Sequence, residues 1–157
     1  MNAPRVVHLV GDLIRGGTEG QCARVAMGLA QAGLPHRIAV FRRHGYFLET
    51  AEAVCGPVYE VAIRHAARLE TLREIGRLAR WLRQERVDVL HAWDADAAIF
   101  GQFSASWAGV KWVASRRDLG QIYPRWKLAL LHRADRQAIR VVANAEAVRN
   151  HFIAQGL

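Results

Sequence analysis

Val6-Val7-His8-Leu9-Val10-Gly11-Asp12-Leu13-Ile14-Arg15-Gly16-Gly17-Thr18-Glu19 is the stretch that decides the fold. Val6 to Val10 is a short apolar run, the pattern of a strand buried on both faces of a parallel sheet. A polar loop with two adjacent glycines follows it. A helix then opens at about Thr18, where Thr18 and Gln21 have capping-box spacing. Cys22, Val25, Ala26, Leu29 and Ala30 mark its apolar face, and Gly33 stops it. Strand, glycine loop and helix in this order form the first half of a βαβ unit.

The same alternation runs along the rest of the chain. Arg37 to Phe41 reads as a second strand and Phe47 to Val54 as a short helix closed by Gly56-Pro57. Val58 to Ile63 is a third strand. The helix from about Arg68 to Glu85 has the clearest period, with Leu72, Ile75, Ala79 and Leu82 at helical spacing. Val87 to Ala92 is a fourth strand, and Asp94 or Asp96 caps the helix that carries Ile99, Phe100, Phe103 and Trp107. A fifth strand surrounds Trp112 to Ala114. Tyr123 to Asp135 is helical, with Pro124 suited to its first turn. Val141 to Ala143 is a sixth strand, and Asn144 is the expected N-cap of a last helix. The expected fold is α/β: a Rossmann-like, doubly wound, mostly parallel sheet of about six or seven strands with helices on both faces.

Ligands of such sheets bind beyond the carboxyl ends of the strands, where the strand order reverses. Gly16 and Gly17 allow a ligand to approach the backbone, and the exposed amides of the helix start favour an anion such as a diphosphate. Thr18 and Glu19 belong to the same loop. The fourth strand ends in His91, Trp93, Asp94 and Asp96. The fifth contributes Arg116, Arg117 and Asp118, and the sixth Asn144 and Glu146. Trp93 offers an aromatic face to a sugar ring or packs in the core. Asp94 and Asp96 accept hydroxyl protons or cap a helix. Arg116 and Arg117 bind an acidic group by charge-assisted hydrogen bonds or lie in a surface loop.

Composition narrows the classes. The chain has 157 residues, 52% hydrophobic and 23% charged, which suits one globular domain. Cys22 and Cys55 lack C-x-x-C spacing and read as reduced, buried thiols. No His or Cys pair has metal-ligand spacing, so no metal site is expected. No signal peptide and no membrane span is legible, which points to a cytoplasmic protein, free or bound at the inner face of the membrane. The net charge is +8. Arg73, Arg77, Arg80, Arg83 and Arg86 gather on one helix face, either a solvated face or one turned to an anionic membrane surface. No reader motif accompanies the charge, so nucleic acid is not an expected partner.

Four segments carry a family resemblance. Val6 to Glu19 is similar to a strand followed by a Gly-Gly-x-Glu loop. Ala30 to Val40 resembles an L-x-x-x-G-H-x-V-x-V continuation. Val87 to Trp93 resembles a P-D-V-V-H-x-H/W strand, and Ala143 to Val148 an A-N-S-E-A-V turn. In this order and spacing they resemble family 4 glycosyltransferases. The resemblance implies the N-terminal, acceptor-side domain of a retaining GT-B enzyme, spanning residues 1–157, with its C-terminal nucleotide-sugar domain absent and the isolated chain inactive. It implies a nucleotide diphosphate sugar (UDP- or GDP-linked) as co-substrate, with no tightly bound cofactor and no essential metal. The acceptor is a sugar, glycan or lipid hydroxyl that receives a hexose. Gly16, Gly17, Thr18 and Glu19 would face the donor phosphate. His91, Asp94 and Asp96 would be the catalytic candidates. Trp93, Arg116, Arg117, Asp118, Asn144 and Glu146 would meet the acceptor. Trp93 and Ala145 depart from the family pattern of His and Ser. The rival reading is a non-catalytic, flavodoxin-like or receiver-like ligand module, or a nucleic-acid-binding one. A receiver would need an Asp at the end of strand three, where the sequence has Ile63-Arg64-His65.

Overall fold

A computed structural model describes residues 3–63 and 69–157. Its elements run β1 (Val6–Val10), α1 (Gly17–Gln31), β2 (His36–Val40), α2 (Leu48–Cys55), β3 (Tyr59–Glu60), α3 (Leu69–Gln84), β4 (Val89–Ala92), α4 (Ala95–Ala108), β5 (Lys111–Arg116), α5 (Arg125–Gln137), β6 (Arg140–Ala143) and α6 (Glu146–Ala154). The six strands form one sheet in the order β3-β2-β1-β4-β5-β6, and every pairing is parallel. The expected Rossmann-like architecture is present. Arg68, at the expected start of the third helix, and Arg64 and His65 lie outside the described residues.

Two cores follow from the alternation of side chains along β1. Val7 and Leu9 point to one face, where Leu78 and Leu82 of α3, Ala97, Ala98 and Ala105 of α4 and Leu131 of α5 bury them. Val10 points to the other face, against Cys22 and Ala26 of α1 and Ala51 and Cys55 of α2. Each fully buried Leu or Val contributes roughly 1.5–3 kcal/mol relative to exposure. Both cysteines are free and buried. Burial pushes the Cys22 thiol well above its ordinary range, so it packs as an inert apolar group.

Local differences from the sequence reading have identifiable causes. Helix α1 is capped by Gly16 without a side-chain bond, so Thr18 lies inside the first turn and forms no capping box. Asp94, not Asp96, caps α4 by accepting from the Ala97 amide at 2.8 Å. Ala145 rather than Asn144 occupies the N-cap of α6. Pro124 stands just outside α5 with extended backbone. β3 shrinks to two residues because it is an edge strand with one neighbour.

The loops after β1 and β2 are locked together. Leu13 donates to the His44 carbonyl at 3.1 Å, Phe47 donates to the Leu13 carbonyl at 2.8 Å, and Arg42 donates from its backbone to the Gly11 carbonyl at 3.0 Å. The Arg42 guanidinium meets the buried Asp12 carboxylate at 2.6 Å. Gly45 makes this closeness possible. Its φ is +125°, and a Cβ there would lie 2.3 Å from the Leu13 carbonyl carbon. Gly45→Ala therefore combines a disfavoured backbone with a backbone clash, and is expected to cost about 3 kcal/mol or more. Urea unfolding measures it, and an unchanged midpoint would show the two loops to be separable.

Candidate active site

The strand order reverses between β1 and β4, so their following loops diverge and leave a crevice at the carboxyl end of the sheet. A cleft of about 210 Å³ occupies this position. Gly11, Asp12, Ile14 and Glu19 line it from the β1 side, Asp94 and Asp96 from the β4 side, and Tyr123 and Lys127 from the start of α5. A larger groove of about 680 Å³ runs along the outer edge of β6 and under α6. It lies at the sheet's margin, away from the reversal, and has the character of an open strand edge.

The first turn of α1 reaches the crevice through Glu19. No side chain caps it, and it carries the positive end of a 15-residue helix. The two glycines differ in role. A Cβ on Gly16 would collide with the Glu19 carboxylate, which folds back over it. A Cβ on Gly17 would meet nothing within 4 Å, so this backbone stands open. Across the crevice, Asp94 is fully engaged: its Oδ2 accepts from the Gly11 amide at 2.7 Å and its Oδ1 from the Ala97 amide. Burial raises its carboxyl to about 6, against the backbone amide bonds from Ala97, Gly11 and Asp96 that favour the charged form. Asp94 thus ties the loop after β1 to the start of α4, the capping alternative of the sequence reading. Asp96 pairs with Lys127 at 2.7 Å. Tyr123 donates to Asp118 at 3.4 Å, and burial pushes its hydroxyl up to about 12.

Behind the crevice lies a cluster of aromatic rings. His8 and His91 stand opposite each other across the β1–β4 pairing, with ring centroids 5.6 Å apart. The Trp93 ring is 4.4 Å from His91 and donates its indole N–H to His8 Nδ1 at 3.1 Å. Indole is a donor only, so His8 is neutral with its proton on Nε2, which has no partner. Burial lowers the His8 pKa to about 3 and the His91 pKa to about 4, helped at His91 by the nearby Arg117. His91 Nε2 also bonds the Ser115 hydroxyl at 2.8 Å. The Arg117 guanidinium lies over Trp93, 4.6 Å from the ring centre, and its Nε has no hydrogen-bond partner. Among the described residues no carboxylate pairs with it.

The sequence-derived site residues therefore divide. Glu19, Asp94 and Asp96 line the crevice, Gly16 and Gly17 stand at the start of the helix that carries Glu19, and Thr18, Trp93, Arg117 and Asp118 surround a small adjoining cavity of about 40 Å³. Trp93 is only 2% exposed, packed among Leu13, Cys22 and Ala26, so it is a core residue and not an open sugar platform. Arg116 is 4% exposed and forms a buried ion pair with Asp135 of α5, which removes it from the acceptor set. Burial raises the Asp135 carboxyl despite the Arg116 charge. Asn144 and Glu146 line the groove at β6. Tyr123 and Lys127 were not among the expected residues. Their only signal was polarity just past the fifth strand, masked by the turn that brings them back. His8 was hidden because it sits within an apolar run, and only the strand register pairs it with His91.

These features define a GT-B-type Rossmann-like domain. The chain belongs to glycosyltransferase family 4, whose model matches residues 15–157. No functionally curated protein matches it by sequence. Among solved structures, Anabaena HepE in complex with UDP and glucose superposes with a TM-score of 0.80 at 19% identity, covering 98% of this chain and 41% of HepE. The lipopolysaccharide outer core galactosyltransferase WaaB superposes at 0.71 with 12% identity, covering 97% and 43%. A UDP-N-acetylglucosamine 2-epimerase does so at 0.64 with 14% identity, covering 98% and 46%. The chain thus spans less than half the length of these proteins. The epimerase shows that this fold serves more than one chemistry, and the family match makes this chain a glycosyltransferase domain.

The buried histidines carry a pH signature. A lowered folded-state pKa means that stability is complete above about 6.5 and is lost as pH falls through the folded value. His91→Gln retains a partner for Ser115 but does not titrate. Relative to this variant, the native chain is expected to lose on the order of 3 kcal/mol between pH 7 and pH 4. Urea midpoints across that range check it. Parallel curves would mean that His91 is free to protonate in the fold.

Proposed function

We propose that this chain is the acceptor-side domain of a retaining glycosyltransferase. The full enzyme transfers a hexose from a UDP- or GDP-linked sugar to an acceptor hydroxyl, and a second domain elsewhere in the polypeptide holds most of the nucleotide. On this reading the isolated chain is inactive, because it supplies one wall of the cleft. The single observation that carries the reading is the uncapped α1 N-terminus with open Gly17 backbone at the strand-order reversal. The structural likeness to HepE, which was solved with UDP and glucose, supports it.

The proposed chemistry assigns each wall a task. The first-turn amides of α1 and the Arg117 guanidinium lower the energy of negative charge developing on the departing diphosphate. Arg117 suits this role because it is part-buried, held in place over Trp93, and pairs with no carboxylate among the described residues. Asp94 keeps the loop after β1 in place. His91 stays neutral at pH 7 and anchors Trp93 and Ser115, which supports a positioning role rather than proton transfer. Asp96, Tyr123 and Lys127 form the rim that an acceptor would pass.

Gly17→Ala tests the reading. The new methyl meets no protein atom, and the backbone there does not need glycine's conformational freedom. Unfolding midpoints should be unchanged, while kcat/KM for sugar transfer by the full-length enzyme falls about a hundredfold through displaced donor phosphate. Arg117→Gln should lower kcat by at least about tenfold. Unchanged transfer by both variants, or a full-length enzyme that consumes no UDP- or GDP-linked hexose, would overturn the proposal.

A further inference from the structure

The turn before α5 and its first two turns expose an unusual concentration of apolar surface. Ile122 is 79% exposed, Trp126 60%, and Leu130 38%. Trp126 and Leu130 are four residues apart and share one face of the helix, with Ile122 one further step toward its start. The opposite face is packed: Leu131, Ala134 and Asp135 are buried. These exposed residues are therefore not a frayed core face but an outward stripe on a firmly seated helix.

The exposed charges of α5 around the stripe have one sign. α5 carries Arg125, Lys127, Arg133 and Arg136, and its only carboxylate, Asp135, is buried against Arg116. Lys127 turns toward Asp96 at the crevice. Arg125, Arg133 and Arg136 remain exposed beside Trp126 and Leu130. The neighbouring Asp118 is occupied by the Gly120 amide and the Tyr123 hydroxyl. A helix with aromatic and aliphatic groups at its surface, ringed by arginines, has the chemistry of an interfacial membrane segment: the rings enter the headgroup boundary and the arginines meet lipid phosphate. The arginine-rich helix α3 differs. Glu70 and Glu74 interrupt its basic face, and Arg77 is paired to Glu74 at 2.8 Å.

We infer that the segment from Ile122 to Arg133 is the surface by which this domain docks on an anionic lipid bilayer, and that α3 is a solvated face. The consequence for substrate rests on the proposed function. Tyr123 and Lys127 belong both to this segment and to the crevice wall, so docking sets the crevice at headgroup level, where a lipid-borne acceptor presents its hydroxyl.

Co-sedimentation with vesicles tests the docking without donor or acceptor, so it fails or succeeds independently of the transferase reading. The chain should bind vesicles of equal parts phosphatidylcholine and phosphatidylglycerol, ignore pure phosphatidylcholine, and release at high salt. The double variant I122S/W126S should bind at least about tenfold more weakly. R125Q/R133Q should bind more weakly by about fivefold per arginine removed. R73Q/R80Q on α3 should bind as the native chain does. Circular dichroism melts confirm that each variant is folded. Equal binding by I122S/W126S, loss of binding on changing α3, or no preference for phosphatidylglycerol would each overturn the inference.

Discussion

The parallel pairing of β1 with β4 is the constraint on which the rest of the structure depends. β1 is hydrogen-bonded on both sides, to β2 and to β4. The chain leaves β1 toward one side and returns at β4 on the other, so successive crossovers cover opposite faces of the sheet. The cost of this topology is a place where two loops part and backbone amides are left without strand partners. Asp94 answers part of that cost. Its single carboxylate satisfies the amide at the end of β1 and caps the helix after β4. What is left open is the start of α1.

The electrostatics of this opening are shaped by burial rather than by surface charge. His8 and His91 sit in the sheet close behind it and are kept neutral there. Trp93 seals them from above and carries Arg117 on its outer face. The neutral rings thus lie behind a crevice whose own walls carry Asp12, Glu19, Asp94 and Asp96, with Arg117 beside the small adjoining cavity. Fields from those groups are weakly screened in such a setting, and more so the deeper they lie.

Much of this was legible in the sequence. The short apolar runs, glycine loop and helical periods gave the order and type of every element, because buried parallel strands and amphipathic helices write different periods. The helix cap after β4 was legible because Asp94 and Asp96 follow an apolar strand and precede a helical period, and Asp94 fills it. Other residues were not. Arg116 and Arg117 are adjacent and chemically identical in the sequence. The pleat sends one into the core against Asp135 and leaves the other over Trp93 at the adjoining cavity, a difference that depends on register. For Trp93 the sequence left a sugar-facing ring and a packed one both open, and the second holds because Cys22 and Ala26 of α1 close over it. Tyr123 and Lys127 depend on the path of a turn, which local pattern does not encode.

The coupling of the loops after β1 and β2 has a thermodynamic consequence. Three backbone hydrogen bonds and the Asp12–Arg42 pair already order both loops in the free chain. A ligand entering the crevice meets a surface whose conformational freedom was surrendered during folding, and loses little further entropy there. This wall therefore behaves as a stiff anvil. Any adjustment that fits the cleft to its ligand falls to the parts that move against it.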